Sequence, residues 1–317
     1  MYLLFYDIYN MQGQNIIMND DTSAQKLCEI MDKDKYLIGR IGGVEYDSYE
    51  FYKRNGFKLD NVYFRNFFDY CGYYDLDMSE EVYKKFIIIF EKYYANCDII
   101  GIAGESLYTY EIAGKSKPYY KQMVIDDLLK IKDTLKFSYT VLESFKYFDI
   151  IFPKLDGKKI LIISPFEKEI MEQLKICDKL FDDNNLFKKF KYPQFSKVEY
   201  INTFLTTNKF QCPHRNTMET FESYKQQIKD KDFDVALLIC GAYSYPIATY
   251  ILSELNKSAI HLGGIGQLFF GIKGGRYLTT YFEQMMNSNW IYPYQIITSN
   301  ANGVSNDEAL MAYFKRK

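Results

Sequence analysis

The sequence predicts an α/β protein, a Rossmann-like, mostly parallel sheet flanked by helices on both faces. The first supporting observation is Val235 to Cys240, a continuous apolar run closed by Gly241, as expected of a strand covered on both faces. The second is the segment after it. Pro246 suits a first helical turn, Ile247, Ile251, Leu252 and Leu255 recur at helical spacing, and Ser258 to Leu262 reads as a second strand, so Asp232 to Arg276 forms one βαβ unit. The third is that short apolar runs and helical patterns alternate along most of the remaining chain.

In chain order, Ser23 to Asp34 reads as a helix with Leu27, Ile30 and Met31 on one face. Tyr36 to Ile41 reads as a strand, Gly42-Gly43 as a turn and Val44 to Lys53 as a helix. Asn61 to Asp75 is aromatic and reads as irregular, either pocket lining or core. Ser79 opens a long helix with Val82, Phe86, Ile89, Phe90 and Tyr93 on its buried face. Asp98 to Ala103 is a strand and Lys117 to Lys132 a helix. After the Leu155-Asp156-Gly157 turn come a strand at Lys158 to Ser164 and a helix through Ile170, Leu174 and Cys177. Leu180 to Phe195 reads as a loop or lid, whose Lys188, Lys189 and Lys191 either meet a charged substrate or form a solvated face. Lys197 to Ile201 is a strand, Thr217 to Lys229 a helix, and a last helix falls near Asp307 to Phe314. The pattern divides into an N-terminal α/β half, 1–150, and a C-terminal half, 151–317, or forms one continuous domain.

Composition excludes several classes. The chain has 317 residues and a formal charge of -2, too little positive charge to hold nucleic acid by bulk electrostatics. The 31 tyrosines and 25 phenylalanines are explained by A/T-rich codon usage as well as by any stacking role, so they carry no argument. The 6 cysteines lack any CxxC, which fits reduced thiols in a cytoplasmic setting rather than a disulfide frame or zinc site. The N-terminal MYLLFYDIYN is read as neither signal peptide nor membrane span, because it has no basic leader and Asp7 interrupts it. Neither GxGxxG after a strand, nor GxxxxGK[ST], nor GxSxG occurs, which speaks against dehydrogenases, P-loop enzymes and hydrolases of the elbow type.

In open α/β sheets ligands bind at the carboxyl ends of the strands. Gly241, Gly263, Gly264, Gly271, Gly274 and Gly275 fall there, either as tight turns or where backbone approaches a ligand. Arg40 and Glu45 flank the Gly42-Gly43 turn, a cation and an acid suited to phosphate and hydroxyl recognition; Glu45 and Asp47 also suit a helix first turn for dipole reasons alone. Lys273 and Arg276 are further phosphate candidates. Glu45, or alternatively His261, is the candidate catalytic base, and His261 reads equally as a hydrogen-bonded structural group. Gln267 is a candidate reader of a base or sugar edge, or a helix-cap partner. Ser164 and Phe166 are candidate pocket wall, and Gly241, Ala242 and Tyr243 a candidate binding turn.

GRIGGVE at 39–45, GKKILIISPFEKEIMEQL at 157–174, DFDVALLICGAYSYPIA at 232–248 and HLGGIGQLFFGIKGGRY at 261–277, with Asn289 to Pro293 after them, resemble a bacterial and viral family related to GT-D type glycosyltransferases. The resemblance implies a Rossmann-like domain that transfers a sugar from a nucleotide-sugar donor, a UDP-sugar, to a glycan or protein-linked acceptor. A non-catalytic nucleotide- or glycan-binding protein of the same fold is the alternative. In the GT-D pattern an Asp-x-Glu motif in the glycine turn holds a divalent metal, manganese or magnesium, on the donor diphosphate. Glu45 matches the glutamate and Arg40 the preceding arginine, whereas Gly43 stands where the motif has its aspartate. One carboxylate holds a hard cation less well than two, so no residue is assigned as a metal ligand. The expected partners are the donor and the glycan acceptor, with a homodimer as the assembly, and neither nucleic acid nor a membrane span.

Overall fold

The computed structural model describes residues 16–17, 20–59, 61–102, 135–138, 152–181, 191–204, 212–274, 277 and 280–294. Its strands are β1 (Ile16–Ile17), β2 (Leu37–Arg40), β3 (Ile99–Ile102), β4 (Leu135–Ser138), β5 (Lys159–Ser164), β6 (Lys197–Asn202), β7 (Val235–Leu238) and β8 (Ser258–His261). They form one 8-stranded sheet in the order β1-β4-β3-β2-β8-β7-β5-β6, every pairing parallel. The protein is therefore α/β with a parallel, Rossmann-like sheet. The two halves of the chain meet within it, because β2 of the first pairs with β8 of the second at Leu37–Ala259 and Ile38–Ile260.

The helices are α1 (Asp20–Met31), α2 (Gly43–Asn55), α3 (Val62–Tyr70), α4 (Glu80–Asn96), α5 (Glu167–Gln173), α6 (Thr217–Ile228), α7 (Ser244–Ser253), α8 (Gly266–Phe269) and α9 (Thr280–Glu283). Alternating strand side chains feed two cores, one on each face. Ile38, Ile99, Ile160, Ile162, Val235, Leu237 and Ile260 pack with α1, α5 and α8. Leu37, Ile100, Leu161, Ile163, Ala236, Leu238 and Ala259 pack with α2, α3, α4, α6 and α7. The central strands are apolar on both sides for this reason, which is what made Val235 to Cys240 legible.

Where the sequence reading expected irregular chain between Asn61 and Asp75, the structure has α3. Asn61 caps it, its side chain accepting the Tyr63 N–H at 2.9 Å. The aromatic crowding that hid this helix is its packing: Phe64 and Phe67 are fully buried and meet Tyr83 of α4 edge-on. Ser79 caps α4 as expected, accepting from the Val82 N–H. The helices expected at 117–132 and 307–314, and the 182–190 part of the lysine-bearing loop, lie outside the described residues.

The chain leaves β5 toward β6 on one side, and leaves β7 toward β8 on the other. Because every pairing is parallel, the carboxyl ends of β2, β8 and β7 lie side by side along one edge, the edge at which ligands of such sheets bind. Among the described residues no helix is long and apolar enough to cross a membrane.

Candidate functional site

Arg40 is the last residue of β2, and the chain continues pairing with β3 for one more step, the Ile41 N–H donating to the Gly101 carbonyl at 2.9 Å. Gly42 then caps α2 with extended backbone and no side-chain cap. The Glu45 carboxylate folds back so far that a Cβ on Gly42 would lie 2.1 Å from its Oε2. A carboxylate at this place is stabilised by the positive end of the helix.

Arg40 reaches the other way, across β8. Its Nη1 donates to the Leu262 carbonyl at 3.1 Å. A Cβ on Gly263 would fall 2.1 Å from the same nitrogen, and Gly263 has φ +63°, a left-handed value that glycine adopts freely. Glycine at 263 thus serves both the turn and the close passage of the guanidinium.

Cys71, just past α3, joins this turn to the one after β7. Its thiol lies in hydrogen-bond reach of Glu45, and burial, with that carboxylate beside it, pushes the thiol well above its ordinary range. Its carbonyl accepts the Ala242 N–H at 2.7 Å and would stand 2.6 Å from a Cβ on Gly241, whose φ is +55°. Gly42, Glu45, Cys71, Gly241 and Ala242 are therefore one contiguous edge.

Beneath it lies a buried aromatic layer. The Tyr93 hydroxyl oxygen accepts the Arg40 N–H at 2.9 Å and sits 2.9 Å from His261 Nδ1. The same hydroxyl lies 3.4 Å from the Arg40 carbonyl, so Tyr93 ties the Arg40 backbone to the buried imidazole. Burial, and then the Arg40 charge, hold the His261 pKa well below the ordinary imidazole value. Tyr245, in the first turn of α7, packs edge-on against both, ring centroids 4.9 Å from Tyr93 and 5.1 Å from His261. It is 0 % exposed, and its hydroxyl lies against the Gly42 backbone.

The structure brings Arg40, Gly42, Glu45, Gly241, Ala242, Gly263 and His261 together. Gly43 begins α2 facing open space, with nothing within 4 Å of where a Cβ would sit. Gly264 continues the short 3-10 turn from Gly263 to Ile265. His261, a candidate base by sequence, is 3 % exposed, and its Nδ1 lies 2.9 Å from the Tyr93 hydroxyl.

Other expected site residues are occupied elsewhere. Ser164 accepts the Phe166 N–H at 3.2 Å, and Phe166 is buried in the α5-side core, so neither forms an open pocket wall. Tyr243 is buried with its ring edge-on to Tyr224. Gln267 is fully buried, its amide donating to the Ile272 carbonyl, so it braces a turn rather than reading a ligand edge. Lys273 donates its N–H to the Ile291 carbonyl at 2.7 Å and places Nζ over the Tyr292 ring. Arg276 and Gly275 lie outside the described residues.

Sequence reasoning missed Cys71, Tyr93 and Tyr245. Tyr93 stood on the expected buried face of its helix, but nothing local marks a tyrosine whose hydroxyl crosses to another strand. The donor set does not fit a divalent metal: among the described residues no three histidine, cysteine or carboxylate groups converge, and Glu45 is the carboxylate at the turn. No family model matches the chain, and no curated protein or solved structure matches it.

Proposed function

We propose that this chain is a glycosyltransferase that moves a sugar from a nucleotide-sugar donor to a hydroxyl acceptor, at the edge formed by the carboxyl ends of β2, β7 and β8. One observation carries the reading: a guanidinium and a carboxylate, Arg40 and Glu45, flank a single glycine turn at the ligand-binding edge of a parallel sheet. In the reaction the anomeric carbon–oxygen bond to the diphosphate breaks and a bond to the acceptor oxygen forms. The leaving diphosphate gains negative charge, which Arg40 and the backbone N–H groups that open α2 are placed to stabilise. The acceptor loses a proton, for which Glu45 is the nearest carboxylate to the turn. Open space at Gly43 gives a ligand access to the start of α2.

Holding Arg40 is the task of the layer below. Tyr93 grips its backbone N–H, His261 orients Tyr93, and the Leu262 carbonyl fixes the guanidinium. A preformed cation of this kind adds stabilisation without reorganising during the reaction.

A second reading, a nucleotide- or glycan-binding protein without turnover, is favoured by Gly43, which leaves the turn with a single carboxylate. A thermal-shift panel of nucleoside diphosphates and nucleotide sugars, followed by an assay for nucleoside diphosphate release, separates the two. Transfer predicts a melting shift with one nucleotide sugar and release that Glu45→Gln abolishes. A shift without release on any glycan acceptor supports the binding reading, and no shift with any nucleotide overturns both nucleotide readings.

A further inference from the structure

Away from the Arg40 edge, the segment that leads into α6 brings together Cys212, His214 and Thr220. The Cys212 Sγ lies 3.8 Å from His214 Nδ1 and 3.2 Å from Thr220 Oγ1, and Nδ1 lies 3.2 Å from the same Oγ1. Thr220 donates its own proton to the Asn216 carbonyl at 3.1 Å. Its oxygen therefore turns lone pairs toward the sulfur and the imidazole, and is ready to accept from a protonated Nδ1.

The cluster is held firmly on the Asn216 side. Asn216 caps α6 by accepting from the Met218 and Glu219 N–H groups, each at 3.0 Å. Arg215 grips Asp77 through Nη2 at 2.7 and 2.8 Å, and Asp75 bridges to Asn216. His214 stacks edge-on against Phe204, ring centroids 6.0 Å apart. Cys212 and His214 are both partly exposed.

We propose that Cys212 is a reactive thiol, with His214 as its proton acceptor, that forms mixed disulfides with low-molecular-weight disulfides. The Cys212 S–H proton passes to His214 Nδ1, and the imidazolium then rests against Thr220 Oγ1 beside the thiolate. The thiolate attacks one sulfur of the disulfide, a new S–S bond forms and the old one breaks. The departing thiolate takes the proton from His214 and leaves as a free thiol, so the exchange is balanced without an added oxidant. The other cysteines sit in surroundings that favour the protonated thiol. Cys71, Cys97 and Cys240 are buried, and Cys28 and Cys177 are partly so, with burial the leading cause that raises all of these thiols.

The test uses the native full chain with dipyridyl disulfide, the released thione read by absorbance and the adduct mapped by peptide mass. The proposal predicts one fast equivalent on Cys212, slowed about tenfold or more near neutral pH by His214→Gln as the thiolate fraction falls. It also predicts that Cys212→Ser removes the fast equivalent while leaving slow reaction at the other thiols. A fast equivalent on Cys28 or Cys177, an unchanged rate in His214→Gln, or a fast equivalent that survives in Cys212→Ser overturns it. The wild-type adduct map decides the matter even where a variant melts early.

Discussion

The Arg40 guanidinium lies against Gly263, its Nη1 only 2.1 Å from where a side-chain carbon on that glycine would sit. Because Gly263 also has φ +63°, alanine there is both strained and in collision. Gly263→Ala is expected to cost about 1–3 kcal/mol of stability by backbone strain, and to displace the guanidinium. Gly43→Ala meets nothing within 4 Å and serves as the control. Denaturant unfolding of the two variants should separate them, with Gly263→Ala alone losing both stability and nucleotide binding.

Gly43 also allows a gain of function. An aspartate placed there would stand two residues before Glu45 with room for its carboxylate. Gly43→Asp is expected to make the nucleotide-induced melting shift depend on manganese, while the wild-type shift does not. A manganese-dependent wild type would contradict this account of the turn.

Tyr93→Phe removes the hydroxyl shared by the Arg40 N–H and His261 Nδ1, leaving two buried polar groups without it. The expected loss is about 1–3 kcal/mol of stability, the usual cost of unsatisfied buried groups. Donor binding should weaken as well, since the backbone of Arg40 is no longer held. Equal melting temperatures for variant and wild type would show that this bond is not formed in solution.

His261 gives the protein an acid sensitivity. Its folded pKa lies below the unfolded value of about 6.5, so as pH falls the unfolded chain takes up the proton first. The stability that His261 contributes is whole above that value and is lost progressively below it, by up to about 1.4 kcal/mol per pH unit. Urea midpoints at about pH 7.5 and about pH 5.5 should differ more in wild type than in His261→Asn, which cannot charge.

Much of the sheet was legible because its central strands are apolar on both faces. Val235 to Leu238, Ile160 to Ile163 and Leu37-Ile38 stand out as short runs between turn residues, and all three proved to be strands. The strands β1 and β4 were not anticipated: Ile16-Ile17 is only a pair, and Leu135 to Ser138 alternates apolar and polar over four positions. The helix α3 was hidden because aromatic residues fill most of its faces, so no polar stripe betrays its period.

At the site, the glycine turn with Arg40 and Glu45 was readable as a local motif. Its supports were not, because they are contacts between distant positions: Cys71 to Ala242, Tyr93 to His261 and Arg40 to Leu262. Ser164 and Gln267 misled in the opposite direction. A polar residue at a strand end or in a glycine-rich turn looks available in sequence, yet here each satisfies the backbone of its own turn.

The most direct measurement is a calorimetric titration of the nucleoside diphosphate that gives the largest melting shift into wild type, Arg40→Gln and Glu45→Gln. If Arg40 seats the diphosphate, Arg40→Gln weakens binding about tenfold to a hundredfold, the loss of a charged hydrogen-bonding partner. Glu45→Gln should then bind the diphosphate at least as well as wild type, because a negative charge beside the phosphates is removed. Equal affinity in wild type and Arg40→Gln would contradict the account and place the nucleotide away from this edge.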